Sequence, residues 1–174
     1  IFQDVGASMD PIRIVDSQYR ESILVHRKMP KEKCRALEMD MLKKMHLTDS
    51  ERVLGSYPFE LSGGMKQRVG IAMSMTAQPK LLLADEPTSA LDVTIQAEVV
   101  REMKKLREQY QAAIILVTHN MGVASYISDK IGVMCRGKLV EFGKRDDVIF
   151  HPQHEYTRNL LAAVPRLEGK RFAR

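Results

Sequence analysis

Two short apolar runs, Leu81-Leu82-Leu83-Ala84 and Ala113-Ile114-Ile115-Leu116-Val117, constrain this chain more than any other feature. Each is bounded by polar residues and has the length of a strand, and a run without polar alternation predicts a strand buried on both faces of a parallel sheet. Between them Val99, Met103, Leu106 and Tyr110 recur on one face of a helix of roughly 19 residues, with Asp92 placed to cap its start. Strand, helix, strand in this order is a βαβ unit, whose crossover is right-handed.

The rest of the chain arranges itself around that unit. Residues 1 to 11 contain Gly6 and Pro11 among polar neighbours and read as a loop. Pro30 opens a helical segment in which Leu37, Met41 and Met45 form an apolar stripe, a core face rather than a ligand site. Leu61-Ser62-Gly63-Gly64 is a turn leading into a helix from about Met65 to Ala77. Lys130 to Cys135 and Lys138 to Phe142 flank Arg136-Gly137 and predict a β-hairpin in which glycine supplies a positive φ. From Lys144 the pattern is helical, with a helix over Tyr156 to Ala163. The domain division expected is 1–78, 79–143 and 144–174.

Composition narrows the function classes. Lys plus Arg exceed Asp plus Glu by 27 to 22, but the positive groups at Arg27-Lys28, Lys104-Lys105 and Lys170-Arg171 are scattered and carry no aromatic platform. A solvated surface fits better than a nucleic-acid site, and no nucleic-acid partner is expected. The longest uncharged apolar run, Ala112 to Val117, falls far short of the roughly 20 residues needed to cross a bilayer, so any membrane role is expected to be peripheral. Cys34 and Cys135 match neither a disulfide framework nor a zinc spacing. The chain begins at Ile1 with no basic-then-apolar leader and reads as an excerpt of a longer protein.

Chemistry enters where the first strand ends. Leu83-Ala84-Asp85-Glu86-Pro87-Thr88 delivers two adjacent carboxylates at the carboxyl end of a strand, where open α/β sheets bind ligands. Strand alternation would turn Asp85 and Glu86 apart, so that one can serve Mg²⁺ while the other polarises a water. One helix earlier, Ser62, Gly63 and Gly64 place a hydroxyl and two unobstructed amides ahead of a helix, an arrangement that attracts phosphate. The second strand ends in Thr118-His119, and parallel pairing would set His119 beside the acids.

These motifs together resemble the ATPase subunits of ABC transporters. Leu61 to Arg68 resembles the signature loop, Leu81 to Glu86 the Walker B strand with its catalytic glutamate, Ser89 to Asp92 the D-loop, His119 the switch histidine, and Ile1-Phe2-Gln3-Asp4 the Q-loop. The stretch Tyr57 to Arg68 and the tail His154 to Pro165 are similar to the dipeptide, oligopeptide and nickel importers. The resemblance implies an α/β fold, a partial P-loop NTPase (RecA-like) parallel sheet with an inserted helical signature subdomain. It implies ATP and Mg²⁺ as ligands, Glu86, His119 and Gln3 as catalytic residues, and Asp85 with Gln3 at the metal. Ser62, Gly63, Gly64, Gln67 and Asp92 would contact nucleotide, the signature residues acting on the site of a second ATPase subunit. The implied partners are that second subunit, a transmembrane permease and, indirectly, an external substrate-binding protein, with the chain at the cytoplasmic face of the membrane.

Some features depart from the family pattern. No Gly-x₄-Gly-Lys-[Ser/Thr] occurs; Gly132 to Lys138 comes nearest, but Leu139 follows where a hydroxyl is required, and the match sits in the predicted hairpin. The chain alone is therefore expected to bind ATP poorly and to be inactive. Asn120 follows the histidine where Asp is usual, and Val5-Gly6 stands where a Pro is frequent in this subgroup. Two other classes compete. A DNA-repair ATPase of the same fold is disfavoured because residues 4 to 61 hold neither sustained heptads nor a Cys pair. A non-hydrolytic regulatory or interaction module would have no need of both Glu86 and His119.

Overall fold

The computed structural model describes residues 1–163. Val164 and Pro165 of the importer-like tail and the basic residues at Lys170-Arg171 lie outside them. The chain divides into one unit over Ile1–His119 and a second that begins at Asn120.

In the first unit the two apolar runs are strands β1 (Leu81–Asp85) and β2 (Ala113–Val117), paired in parallel with Leu83 opposite Ile115 and Asp85 opposite Val117. The connecting helix, α6 (Val93–Tyr110), starts where Asp92 accepts the Ile95 amide at 3.0 Å. Its Val99, Met103 and Leu106 are buried, as the periodicity requires.

The expectation of burial on both faces does not hold. Leu82 and Ala84 are buried, but Leu81 and Leu83 are 51% and 58% exposed, and Ile115 and Val117 are 56% and 57% exposed. Alternation of side chains across the strand puts these four on the face that no described residue covers. Apolar content alone reports what a face is suited to touch, not whether that neighbour is present.

Helices α2 (Val15–His26), α3 (Lys31–Lys44), α4 (Ser50–Gly55) and α5 (Gly63–Thr76) supply the remaining core of this unit. Val15, Tyr19 and Ile23 recur every fourth residue on α2 and are buried, as are Met41, Leu42 and Met45 on and just after α3. Residues 1 to 11 are not all loop: Asp4 accepts the Ala7 amide at 3.0 Å and starts a one-turn helix, α1 (Val5–Ser8). That turn packs on α5 so closely that a Cβ on Gly70 would stand 2.4 Å from Cγ1 of Val5.

The second unit contains helix α7 (Met121–Ile127), capped by the Asn120 side chain, and the antiparallel hairpin β3 (Lys130–Cys135) and β4 (Lys138–Lys144). Both turn residues are left-handed, Arg136 at φ +49° and Gly137 at φ +77°, the requirement of a two-residue hairpin turn that only glycine meets without strain. Helices α8 (Arg145–Phe150) and α9 (Glu155–Ala162) follow. Glu141 on β4 accepts the amides of Gln153 and His154 at 2.8 and 3.1 Å, which fixes the start of α9. Among the described residues no helix is long and apolar enough to cross a membrane.

Candidate active site

The carboxyl ends of β1 and β2 bring together Asp85, Glu86 and His119. Asp85 is the last residue of β1 and is exposed; its amide donates to the Ile1 carbonyl at 3.0 Å. Glu86 lies just beyond the strand with φ +46°, a left-handed conformation that a side-chain-bearing residue keeps only when its surroundings fix it. Its direction is therefore set by this backbone turn and not by strand alternation. The Glu86 amide donates to the Val117 carbonyl at 2.9 Å, which extends the β1–β2 ladder by one bond past the strand end.

This turn carries the Glu86 carboxylate, 17% exposed, onto His119. Oε1 accepts the His119 backbone amide at 3.0 Å and stands 2.6 Å from Nδ1 of the ring. With the carboxylate ionised, Nδ1 carries the proton and donates it, which leaves Nε2 for another partner. The imidazole is 81% exposed, so that partner can come from solvent. A carboxylate and an imidazole held this way can orient a water together, and the ring can donate to an anion from Nε2 when that nitrogen is protonated as well.

The glycine turn is built from the start of α5. Ser62 caps the helix, its Oγ accepting the Met65 amide at 3.3 Å, and Gly63 and Gly64 form the first turn. Gly64 packs tightly here: a Cβ would stand 3.2 Å from the Ala90 carbonyl oxygen and 3.3 Å from Leu91 Cδ2, so those neighbours would have to shift to admit one. The turn therefore rests on the loop between Glu86 and Asp92. Arg68, one helical turn on, donates from Nε to the Gly64 carbonyl at 3.3 Å and from Nη1 to the His46 carbonyl at 2.8 Å.

The other predicted residues sit differently. Gln67 is only 2% exposed, and its Nε2 has no hydrogen-bond partner among the described residues; it is buried in α5, whereas Ser62 and Gly63 are exposed. The Asp92 carboxylate is occupied as the α6 cap. Gln3 is exposed, and among the described residues it makes no hydrogen bond to Asp85, Glu86 or His119. Among the described residues no group of three or more His, Cys, Asp or Glu could hold a metal by itself. Mg²⁺ bound through one or two carboxylates, waters and substrate phosphates needs no such cage, and the exposed Asp85 fits that donor set.

Residues 3–89 match the family described as ABC transporter. The chain belongs to the ABC transporter family. Dipeptide transport ATP-binding protein DppD of Bacillus subtilis is 42% identical over 97% of this chain and 50% of its own length. Oligopeptide transport ATP-binding protein OppD of the same organism is 43% identical over 97% of this chain and 47% of its own. This ABC transporter chain thus spans about half the length of the curated relatives it matches. Among solved structures, the dimeric post-hydrolysis state of the ATP-binding cassette MJ0796 bound to ADP and Pi superposes with a TM-score of 0.75 and 28% identity, covering 83% of this chain and 61% of that one. The α/β fold with its parallel strand pair is accordingly that of an ABC ATPase cassette, as the sequence motifs imply.

Sequence reasoning placed Thr88 and Arg68 within its motifs without giving their side chains a role, and did not find Gln96; these side chains bond the two loops of the candidate site. For Arg68 a signal existed, since it lies four residues from Gly64 on the same helical face. Gln96, eight residues from Thr88, carries no comparable periodic mark.

Proposed function

We propose that this chain is the signature-and-hydrolysis portion of the ATP-hydrolysing subunit of an importer for dipeptides or oligopeptides. The observation that carries the hydrolytic reading is the Glu86–His119 contact of 2.6 Å at the shared rim of two parallel strands. There the carboxylate takes the proton of a water that attacks the γ-phosphate in line, and the imidazole steadies the carboxylate through Nδ1–H; with Nε2 protonated as well, as imidazolium, it also donates to the phosphoryl oxygens. Bound Mg²⁺ would neutralise charge developing on the phosphate oxygens. Asp85 and Gln3 are the residues that would hold the ion.

Ser62, Gly63 and Gly64 have their amides at an open helix start, suited to an anion brought by another molecule. We assign them to the nucleotide site of a second ATPase subunit, in keeping with the dimeric state of the MJ0796 cassette. The names of the relatives, which specify dipeptides and oligopeptides, favour peptides over nickel as the solute. A permease in the membrane and an external binding protein complete the proposed assembly, with this subunit at the cytoplasmic face.

The test uses the full-length subunit assembled with its permease. Glu86→Gln should keep nucleotide binding while turnover is lost; turnover close to that of the unaltered subunit removes Glu86 from the role of base.

A further inference from the structure

The left-handed backbone of Glu86 is the feature on which the carboxylate's aim depends, and it needs fixing from both sides. On the strand side the Val117 carbonyl and the His119 amide provide it. On the other side Ser89 donates to the Glu86 carbonyl through both its amide, at 3.2 Å, and its hydroxyl, at 3.1 Å. These bonds lie within the loop itself, so they hold its shape only if the loop is anchored to something rigid.

The anchor is Gln96. It sits in the second turn of α6, its own amide bonded to the Asp92 carbonyl at 2.8 Å. From there Nε2 reaches back to Thr88, donating to the hydroxyl at 2.8 Å and approaching the carbonyl at 3.4 Å. Thr88 is 3% exposed, and its carbonyl also receives the Leu91 amide at 3.2 Å. A primary amide suits this position because one NH₂ group can serve a carbonyl and a hydroxyl side by side; a carboxylate could accept from the hydroxyl but could not donate to the carbonyl.

We propose that Gln96 is a positioning residue for hydrolysis: acting through Thr88, it pins the 86–92 loop to α6 and so holds the Glu86 carboxylate against His119. The same pin keeps the Ala90 carbonyl and Leu91 beneath Gly64, so the loop that aims the base also supports the glycine turn. Gln96 touches neither nucleotide nor water in this account. It rests on the hydrolytic reading above, and its consequence is specific: loss of Gln96 lowers the rate of the chemical step more than it weakens nucleotide binding.

The test is steady-state ATP hydrolysis by the full-length subunit in its transporter, with Gln96→Ala, Gln96→Glu, Thr88→Val and the Gln96→Ala/Thr88→Val pair. Gln96→Ala should lower kcat about tenfold, the worth of one hydrogen bond of ordinary strength if all of it serves to hold the carboxylate in place, while KM for ATP stays within about twofold. Gln96→Glu, which can still accept from Thr88, should fall between Ala and the unaltered residue. In the Thr88→Val background Gln96→Ala should cost markedly less than it does alone, because the two act through one contact. The His119 ring signals in an NMR spectrum should shift in Gln96→Ala even though no substitution touches that ring.

Unchanged kcat in Gln96→Ala, a rise in KM at constant kcat, or strictly additive effects with Thr88→Val would overturn the inference. Failure of both single variants to fold would also overturn it, reducing Gln96 to a purely structural role. Glu86→Gln, measured alongside, separates the two levels: if it still turns over ATP, the hydrolytic reading fails; if it is dead while Gln96→Ala is normal, only Gln96 is misassigned.

Discussion

Glu86 and Glu38 are the same side chain placed in two settings of one unit, and the contrast separates what makes a carboxylate chemically useful from what makes it merely buried. Glu86 stands at the rim of the strand pair, 17% exposed and in contact with His119 through a backbone amide and a ring nitrogen. Glu38 lies on α3, 0% exposed, and neither carboxylate oxygen has a hydrogen-bond partner among the described residues. Two arginines are near it, but both are engaged by Asp16: Arg20 Nη2 at 2.5 Å and Arg35 Nη1 at 2.7 Å, with Arg35 also paired to Glu51. The closest ion-pair approach to Glu38 is Arg35 at 3.9 Å. Burial, followed by the Asp16 charge and only partly offset by Arg20 and Arg35, pushes the Glu38 carboxyl up from the ordinary 4.5 to about 7. The rim carboxylate has an amide and a ring nitrogen as partners, whereas the sealed one has no hydrogen-bond partner among the described residues and is pushed towards its protonated form.

Identical substitutions at the two sites give the sharpest way to break this comparison. In the full-length subunit, Glu86→Gln should lower the ATP turnover rate by about 10²–10⁴-fold, the usual worth of a positioned general base, with little change in stability. Glu38→Gln should leave turnover at neutral pH within about twofold. Equal losses at the two positions would show that burial, and not position at the rim, governs the effect.

The next effect is a pH dependence. A carboxyl whose folded pKa lies above its unfolded value contributes stability that is fully present below about pH 4.5 and is lost as pH rises through about 7. Over that window the folded state binds the extra proton, so unfolding free energy should fall with rising pH by on the order of 1 kcal/mol per unit from this group. Glu38→Gln, a neutral mimic of the protonated acid, should flatten the slope in denaturant titrations and be the more stable form at pH 8. A slope unaltered by the substitution would place the titration elsewhere.

How much of this was legible beforehand differs by region. The strand pair, the α6 cap and the hairpin could be read because each is set by neighbours in sequence: a short apolar run, an Asp before an apolar period, an Arg-Gly turn. That Glu86 and His119 share one rim followed from parallel pairing, but their contact did not. What could not be read depends on atoms far apart in the chain. The left-handed turn at Glu86 is imposed by the Val117 carbonyl, Gln96 acts across eight residues without a periodic mark, and Glu38 looks like any exposed acid on an amphipathic helix until Asp16 claims its arginines. The open face of Leu81, Leu83, Ile115 and Val117 belongs with these, because periodicity cannot state which neighbours are present.

A smaller effect tests how the loop after Gln3 is joined to the signature helix. Gly70 on α5 leaves room for Val5, and a Cβ there would sit 2.4 Å from a methyl carbon of a side chain with little rotamer freedom. Gly70→Ala should cost about 1–3 kcal/mol in unfolding free energy by overpacking. Adding Val5→Ala should recover much of it, since the clash is with the Val5 methyls; no recovery would mean that α1 does not pack there.

The smallest predicted effect lies beside Glu38 and supplies its control. The Tyr19 and Thr76 hydroxyl oxygens are 2.6 Å apart in the core, and Thr76 gives its own proton to the Ala72 carbonyl at 2.8 Å. Tyr19 is therefore the donor in the pair, and burial pushes its phenol well above the usual range, with the Thr76 bond offsetting part of the rise. This polar pair is satisfied and neutral where Glu38 is unsatisfied and titratable. Thr76→Val keeps the shape of the side chain but strands the buried phenol, at a cost of about 1 kcal/mol, while Tyr19→Phe in that background removes the stranded group and should cost little more. Because neither hydroxyl ionises between pH 5 and 8, the Thr76→Val penalty should be constant across the range in which the Glu38→Gln difference grows. A Thr76→Val penalty that tracks pH would show that the phenol and the Glu38 carboxyl titrate as one coupled cluster, and the contrast between a satisfied and an unsatisfied buried group would no longer stand.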